Sequence, residues 1–171
     1  DILIEAASIL HQRYKEQDFR IRIAGEDDHG GTGYRREVEA ALARSDVSDR
    51  IVLLGSIDQT LLRQELETAD AFVLPSRNEA LGVAYMEAMA CELSVIGTDA
   101  GGVKELINHE SNGLLVPPED ARSLADAMER MMRDPGLRRS LGIAARERVL
   151  ADFSSRRSAD ALAAALKGNR P

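Results

Sequence analysis

The sequence has little cysteine, few aromatic residues and a shortage of positive charge. Cys91 is its only cysteine, which excludes an internal disulfide framework and a zinc site built on several thiolates. Tryptophan is absent and phenylalanine and tyrosine number 3 each, too few for the stacking platforms that hold single-stranded nucleic acid. The 22 lysines and arginines are outnumbered by 29 aspartates and glutamates, for a formal net charge of -7. A phosphate backbone would be repelled rather than attracted. No apolar run approaches the ~18 residues that a membrane-spanning helix needs. The first residues lack the pattern of a secretory signal, so a reducing, cytoplasmic setting is the expectation.

What is present is a chain of 171 residues, 44% of them hydrophobic, enough for one domain with a real core and too short for two. Residues 1–171 are therefore read as one domain. Ile2 to Tyr14 has helical spacing, with no cap evident at its start. Phe19 to Ala24 alternates apolar and polar residues as a strand does and runs into a glycine-rich loop, Gly25 to Gly33. Short apolar runs at Ile51–Leu54, Ala71–Leu74, Ser94–Gly97 and Leu114–Val116 read as further strands. Tyr34–Ala43, the stretch through Leu62, Leu66 and Ala69, and Val83–Cys91 read as the helices between them. Asp120 is placed to cap a helix through Met132, Asp134 followed by Pro135 to start another, and Ser154 to Lys167 is a last alanine-rich helix. Nearly all-apolar strands alternating with helices predict an α/β fold, a doubly wound parallel sheet of the Rossmann-like kind. Ligands of such sheets bind beyond the carboxyl ends of the strands, which directs attention to the loops after Ala24, Leu54, Leu74 and Ile96.

The loop after Leu74 is the richest of the four. Glu87 is the only charged residue between Val83 and Cys91, on a helix whose apolar character predicts burial, and a buried carboxylate needs a partner. One turn inside the helix, it is placed to accept hydrogen bonds from a pair of hydroxyls such as a ribose diol. The first N–H groups of that helix, near Gly82, Val83 and Ala84, lack intrahelical partners and suit an anion. Gly82 lets a diphosphate approach the backbone, and Glu79 stands just before it, where a carboxylate can hold sugar hydroxyls. Taken singly, Glu87 is as readily the partner of an arginine and Glu79 an ordinary solvated side chain. Asp27, Asp28 and His29, three adjacent residues, rarely converge on one metal ion. Cys91 and Met128, Met131 and Met132 read as core, and His11 and His109 as surface residues.

Glu79 and Glu87 have the spacing E-x7-E. With the flanking segments Ala69–Asp70–Ala71–Phe72–Val73–Leu74–Pro75–Ser76, Thr98–Asp99–Ala100–Gly101–Gly102 and Asn112–Gly113–Leu114–Leu115–Val116–Pro117, the chain resembles the retaining glycosyltransferases of two Rossmann-like domains, the GT-B enzymes of family 4. The resemblance covers nearly the whole chain. It implies a C-terminal, donor-binding domain of a metal-independent enzyme that moves a sugar from a nucleoside-diphosphate sugar to an acceptor hydroxyl. Glu79, the implied catalytic residue, contacts the donor sugar; Gly82 and Val83 contact the diphosphate; Glu87 holds the ribose; and Ser56 and Ile57 lie near the base. Gly25, Ser76 and Leu81 complete the implied donor-binding set, and neither a cofactor nor a metal is expected.

The chain departs from the family pattern at Glu92 and Ser94, where a glycine and a proline are usual, and in the length of the Gly25–Gly33 loop. The strand and the two basic residues that the family places before the position of Asp1 are not among these residues. That strand belongs at the centre of a sheet ordered 3-2-1-4-5-6. The expectation is a donor half with little or no turnover alone, whose acceptor domain lies elsewhere and whose open strand edges invite pairing or oligomerisation. Nucleotide-sugar epimerases and phosphorylases share this architecture, and a non-catalytic binding or assembly module is the alternative from outside the enzymes.

Overall fold

The computed structural model describes residues 1–14, 18–26 and 33–153. The last predicted helix, 154–167, and most of the glycine-rich loop lie outside the described residues. In chain order the elements are α1 (Ile2–Arg13), β1 (Ile21–Ala24), α2 (Tyr34–Ala43), β2 (Ile51–Gly55), α3 (Gln59–Thr68), β3 (Ala71–Leu74), α4 (Val83–Ala90), β4 (Ser94–Thr98), α5 (Val103–Leu106), β5 (Leu114–Val116), α6 (Ala121–Arg133) and α7 (Pro135–Asp152).

Local chemistry sets most of these boundaries. The side chains of Asp58, Asp120 and Asp134 accept from the backbone N–H three residues on and so start α3, α6 and α7. The start of α1 differs from its reading as uncapped: the Asp1 carboxylate accepts from the first helical amide, Ile2 N, at 2.6 Å. β1 begins two residues later than the alternation suggests. Pairing starts only where Ile21 N donates to Arg50 O at 2.9 Å, while Phe19 lies under the Arg50 guanidinium, 5.1 Å from carbon to ring centre. The single-turn helix α5 has too short a pattern to be read from sequence.

The strands are all parallel to their neighbours but form two sheets, β1–β2 and β3–β4–β5. No ladder joins β1 to β3, which are the strands that flank the first strand in the order 3-2-1-4-5-6. Both faces of the larger sheet are covered, as the fold class requires. Ile96 faces a core with Ala6 and Leu10 of α1, Leu124 and Met131 of α6 and Leu141 of α7. Its neighbour Val95 faces the opposite core, with Tyr85 and Met89 of α4 and Ala145 and Val149 of α7. Helix α1 also presents Ile4 and Ala7 to Ile51 and Val47 on the β1–β2 side. One helix thereby packs on both sheets across the break. His11, read as a surface residue, is half-buried with Nδ1 enclosed, because it shares this helix. Met128 and Met131 are in the core and Cys91 packs at its edge.

Candidate functional site

The site is built at the carboxyl end of β3. Pro75 and Ser76 end the strand, and the buried Thr98 hydroxyl at the end of β4 donates to Ser76 O. The chain then crosses to the start of α4 over a bed made by Gly101 and Gly102. Gly102 N donates to Glu79 O at 2.8 Å. A Cβ on Gly101 would lie 2.3 Å from Glu79 O, and one on Gly102 2.4 Å from Ala80 O, so only glycine lets the two loops approach this closely.

Tyr85 ties α4 to the sheet. Its ring is fully buried, meets Phe72 edge to face at 5.5 Å, and its hydroxyl donates to Leu74 O. Burial holds the phenol proton and raises its pKa above the ordinary tyrosine range. Gly97 makes room for it, since a Cβ there would sit 2.8 Å from the Tyr85 hydroxyl oxygen. The start of α4 is thus fixed relative to the strand ends.

At that start Gly82 has the left-handed φ of 74°. Glu79 Oε1 accepts from Gly82 N at 3.0 Å and from Leu81 N at 3.3 Å. Leu81 and Val83 are 65% and 52% exposed, so the helix start opens to solvent. The N–H groups of Val83 and Ala84 have no acceptor among the described residues, as the first turn of a helix leaves them. Glu87 is half-buried rather than buried, because α4 turns Tyr85, Ala88 and Met89 inward and leaves its other side partly open. Its carboxylate has no hydrogen bond or ion pair among the described residues.

A second grouping lies at the ends of β1 and β2. Gly25 N donates to Gly55 O at 2.9 Å, and Ser56 N to a Glu26 carboxylate oxygen at 3.2 Å. The same carboxylate meets Arg35 at 2.7 Å, and that guanidinium, with the Ser56 amide, holds it below the usual glutamate range. Glu26 escapes a sequence reading because only the fold brings it to Ser56; its signal was no more than a glutamate beside Gly25. Ser56 is exposed and Ile57 half-buried. The structure therefore joins Gly25 with Ser56, and Glu79 with Leu81 and Gly82, while no hydrogen bond among the described residues links Ser56 or Ile57 to Glu79 or Glu87. Among the described residues no group of three His, Cys, Asp or Glu is arranged to hold a metal ion, and no helix is long and apolar enough to cross a membrane.

At the other end of β4, Glu92 has a left-handed φ of 65°, the conformation for which the family's glycine is suited. Ser94 is buried, with its hydroxyl oxygen unpartnered among the described residues, in the place of the family's proline. Gly142 of α7 passes directly over this turn; a Cβ there would lie 2.1 Å from Glu92 O.

Known proteins share this fold. The family model of glycosyl transferases group 1 matches residues 1–148. A D-inositol 3-phosphate glycosyltransferase of Pseudarthrobacter chlorophenolicus is 33% identical over 84% of this chain and 34% of its own length. Among solved structures, the C-terminal domain of a glycosyl transferase group 1 family protein from Francisella tularensis superposes with a TM-score of 0.79 at 26% identity, covering 90% of this chain and 78% of that one. Anabaena HepE, solved in complex with UDP-glucose, shares the fold with a TM-score of 0.87 at 23% identity, over 98% of this chain and 44% of its own. The chain spans between about a quarter and two fifths of the length of the curated relatives it matches. From its sequence and its parallel α/β architecture alike, the chain belongs to the group 1 glycosyl transferases and has the fold of the C-terminal domain of GT-B enzymes.

Proposed function

We propose that residues 1–171 form the donor-binding domain of a retaining glycosyltransferase that transfers a sugar from a nucleoside-diphosphate sugar to an acceptor hydroxyl. The observation that carries this is the pair Glu79 and Glu87 set about the open start of α4, one on the Leu81 and Gly82 amides just before it and the other half-exposed and, among the described residues, unpaired one turn on. A diphosphate at that start meets backbone N–H groups and the positive end of the helix dipole. Glu87 accepts from the two ribose hydroxyls, and Glu79 from hydroxyls of the sugar at the other end of the diphosphate. Ser56, whose amide donates to Glu26, and Ile57 lie toward the base, with Gly25 and Ser76 lining the approach. A fold neighbour that holds UDP-glucose supports the ligand class.

In this reading the bond from the anomeric carbon to the diphosphate breaks as the acceptor approaches from the same face, and the configuration is kept. Fixed amides aimed at the leaving oxygens supply electrostatic stabilisation with little reorganisation, and Glu79 orients the sugar. No metal is assigned a part. The acceptor half belongs to a further domain of a longer enzyme, so the 171-residue chain binds the donor and turns it over slowly or not at all. The facing edges of β1 and β3 receive another strand, from that longer chain or from a second copy.

Calorimetric titration with UDP, GDP and ADP tests the site. One nucleotide binds, and Glu87→Ala weakens it by about tenfold or more, the worth of a charged hydrogen-bond acceptor. Absence of binding by all three, both alone and with the upstream segment restored, refutes the assignment.

A further inference from the structure

At the end of the larger sheet away from the start of α4, a cleft of about 380 Å³ opens between the end of α3, the turn before β4 and the start of α7. That volume is of the order found for small-molecule sites. Asp70 and Ser94, at the amino ends of β3 and β4, lie in its wall. Gly142 lets α7 rest directly on the turn, a Cβ there lying 2.1 Å from Glu92 O, which fixes Arg139, one turn earlier, on the same side.

Three polar groups lining this cleft are unsatisfied. Ser94 is 2% exposed and its hydroxyl oxygen has no hydrogen-bond partner among the described residues, a costly condition for a buried hydroxyl. The Arg139 guanidinium is exposed and, among the described residues, has neither a hydrogen bond nor an ion pair. Glu92 carries its carboxylate on a backbone with φ 65°, a strained conformation for any residue but glycine. The other charges are cancelled in place: Arg138 pairs with Asp70 at 3.2 Å and Arg63 with Glu67 at 2.7 Å.

One cation, one anion and one hydroxyl are left over, beside the apolar Leu66 and Leu93. We infer that this cleft is a second ligand site, separate from the donor site and independent of its reading, for a neutral polyhydroxylated ligand, a saccharide. A hydroxyl both donates and accepts, so neighbouring hydroxyls serve Glu92 as donors and Arg139 as acceptors, and either sense suits Ser94. An anion meets repulsion from Glu92, and a cation from Arg139. A zwitterion gives up the hydration of two charges for exposed ion pairs that contribute little. A saccharide escapes all three penalties. Glu92 and Ser94 are also the two positions before β4 at which the chain departs from its family, where glycine and proline offer neither carboxylate nor hydroxyl. Strain and an unmet hydroxyl thus fall in one cleft, and a bound saccharide offsets both.

The test is NMR of backbone amides and arginine side chains while the chain is titrated with maltose, glycine and inorganic phosphate. Maltose shifts the Cys91–Ser94 amides and the Arg139 Nε–H signal, saturating in the millimolar range, and glycine and phosphate leave them in place. Arg139→Ala, a change at an exposed position that the fold tolerates, weakens maltose by about fivefold, the worth of one hydrogen bond, and Ser94→Ala does the same. Glu92→Gly weakens it likewise while relieving backbone strain, which separates a ligand role from a structural one. Absence of these shifts with maltose overturns the site, as do shifts produced by phosphate or glycine in its stead. Shifts confined to Gly82, Val83 and Ala84 place the sugar at the start of α4 and overturn it too. Full maltose affinity in all three variants has the same consequence.

Discussion

At the scale of single residues, the turn before β4 shows what one departure from the family pattern costs. Glu92 adopts φ 65°, where a side chain crowds its own backbone at about 1–2 kcal/mol. Among the described residues its carboxylate has no hydrogen bond or ion pair that offsets this. Glu92→Gly is expected to raise stability by about 1 kcal/mol, read as an upward shift of the denaturant midpoint without a change in slope; an unchanged or lower midpoint means the surrounding contacts already compensate. The turn lies at the opposite end of α4 from its start, so nucleotide affinity should stay as it is. Glu79 and Glu87 make the contrasting case, because their value lies in interactions they are free to make rather than in ones they have.

At the scale of elements, the seam between α1 and α6 is held by an apolar stripe and a cluster of charges. Arg13 meets Asp126 at 2.5 Å and Glu129 at 3.4 Å, and the Tyr14 hydroxyl donates to Glu129. The Tyr14 hydroxyl first, then Arg133 and Arg13, hold the Glu129 carboxyl below the usual glutamate range. A carboxyl whose pKa is lower folded than unfolded adds stability above its unfolded pKa, and that stability is lost as the pH falls through its folded pKa. The chain is therefore expected to lose stability as the pH falls from about 5 to about 3, through the unfolded glutamate value and below it, and Glu129→Gln to lose less over the same interval. Thermal midpoints of both at the two pH values measure this; equal losses would assign the acid sensitivity elsewhere. The pairs are exposed enough that the apolar stripe carries most of the seam.

At the scale of the whole molecule, the distinctive feature is a sheet in two pieces spanned by one helix. Ala6 and Leu10 of α1 pack on the β3–β4–β5 side and Ile4 and Ala7 on the β1–β2 side. With no ladder between β1 and β3 among the described residues, coupling of the two halves falls to this helix together with Phe19 and Ile21, which pack against both cores. Leu10 is fully buried, and Leu10→Ala is expected to cost about 2–5 kcal/mol. The further expectation is that the variant unfolds in two steps, with β1–β2 lost first, seen as non-coincident transitions by circular dichroism and hydrogen exchange. A single coincident transition would show that the remaining contacts keep the halves coupled without Leu10. The Glu26 bridge to Ser56 belongs to the smaller half and Glu79 and Glu87 to the larger, so the same helix sets the alignment of the two groupings on which donor binding depends.

Much of this was legible in the residues. The order of strands and helices followed from apolar periodicity, and the starts of α6 and α7 from Asp120 and Asp134, because caps and periodicity are local interactions within a few residues. The spacing of Glu79 and Glu87 and the segments around them identified the family for the same reason: they can be read in one dimension. Only the tertiary structure decided that Asp1 caps α1 while Arg77 also reaches it, that Glu87 stays half-exposed, and that Glu79 turns back onto the amides of Leu81 and Gly82. It alone placed Gly97 under Tyr85, Glu26 against Ser56 and Gly101–Gly102 beneath the Glu79 loop. These contacts join segments far apart in the chain or depend on which side of a helix the core claims. Their energies come from packing and burial, which no local pattern encodes.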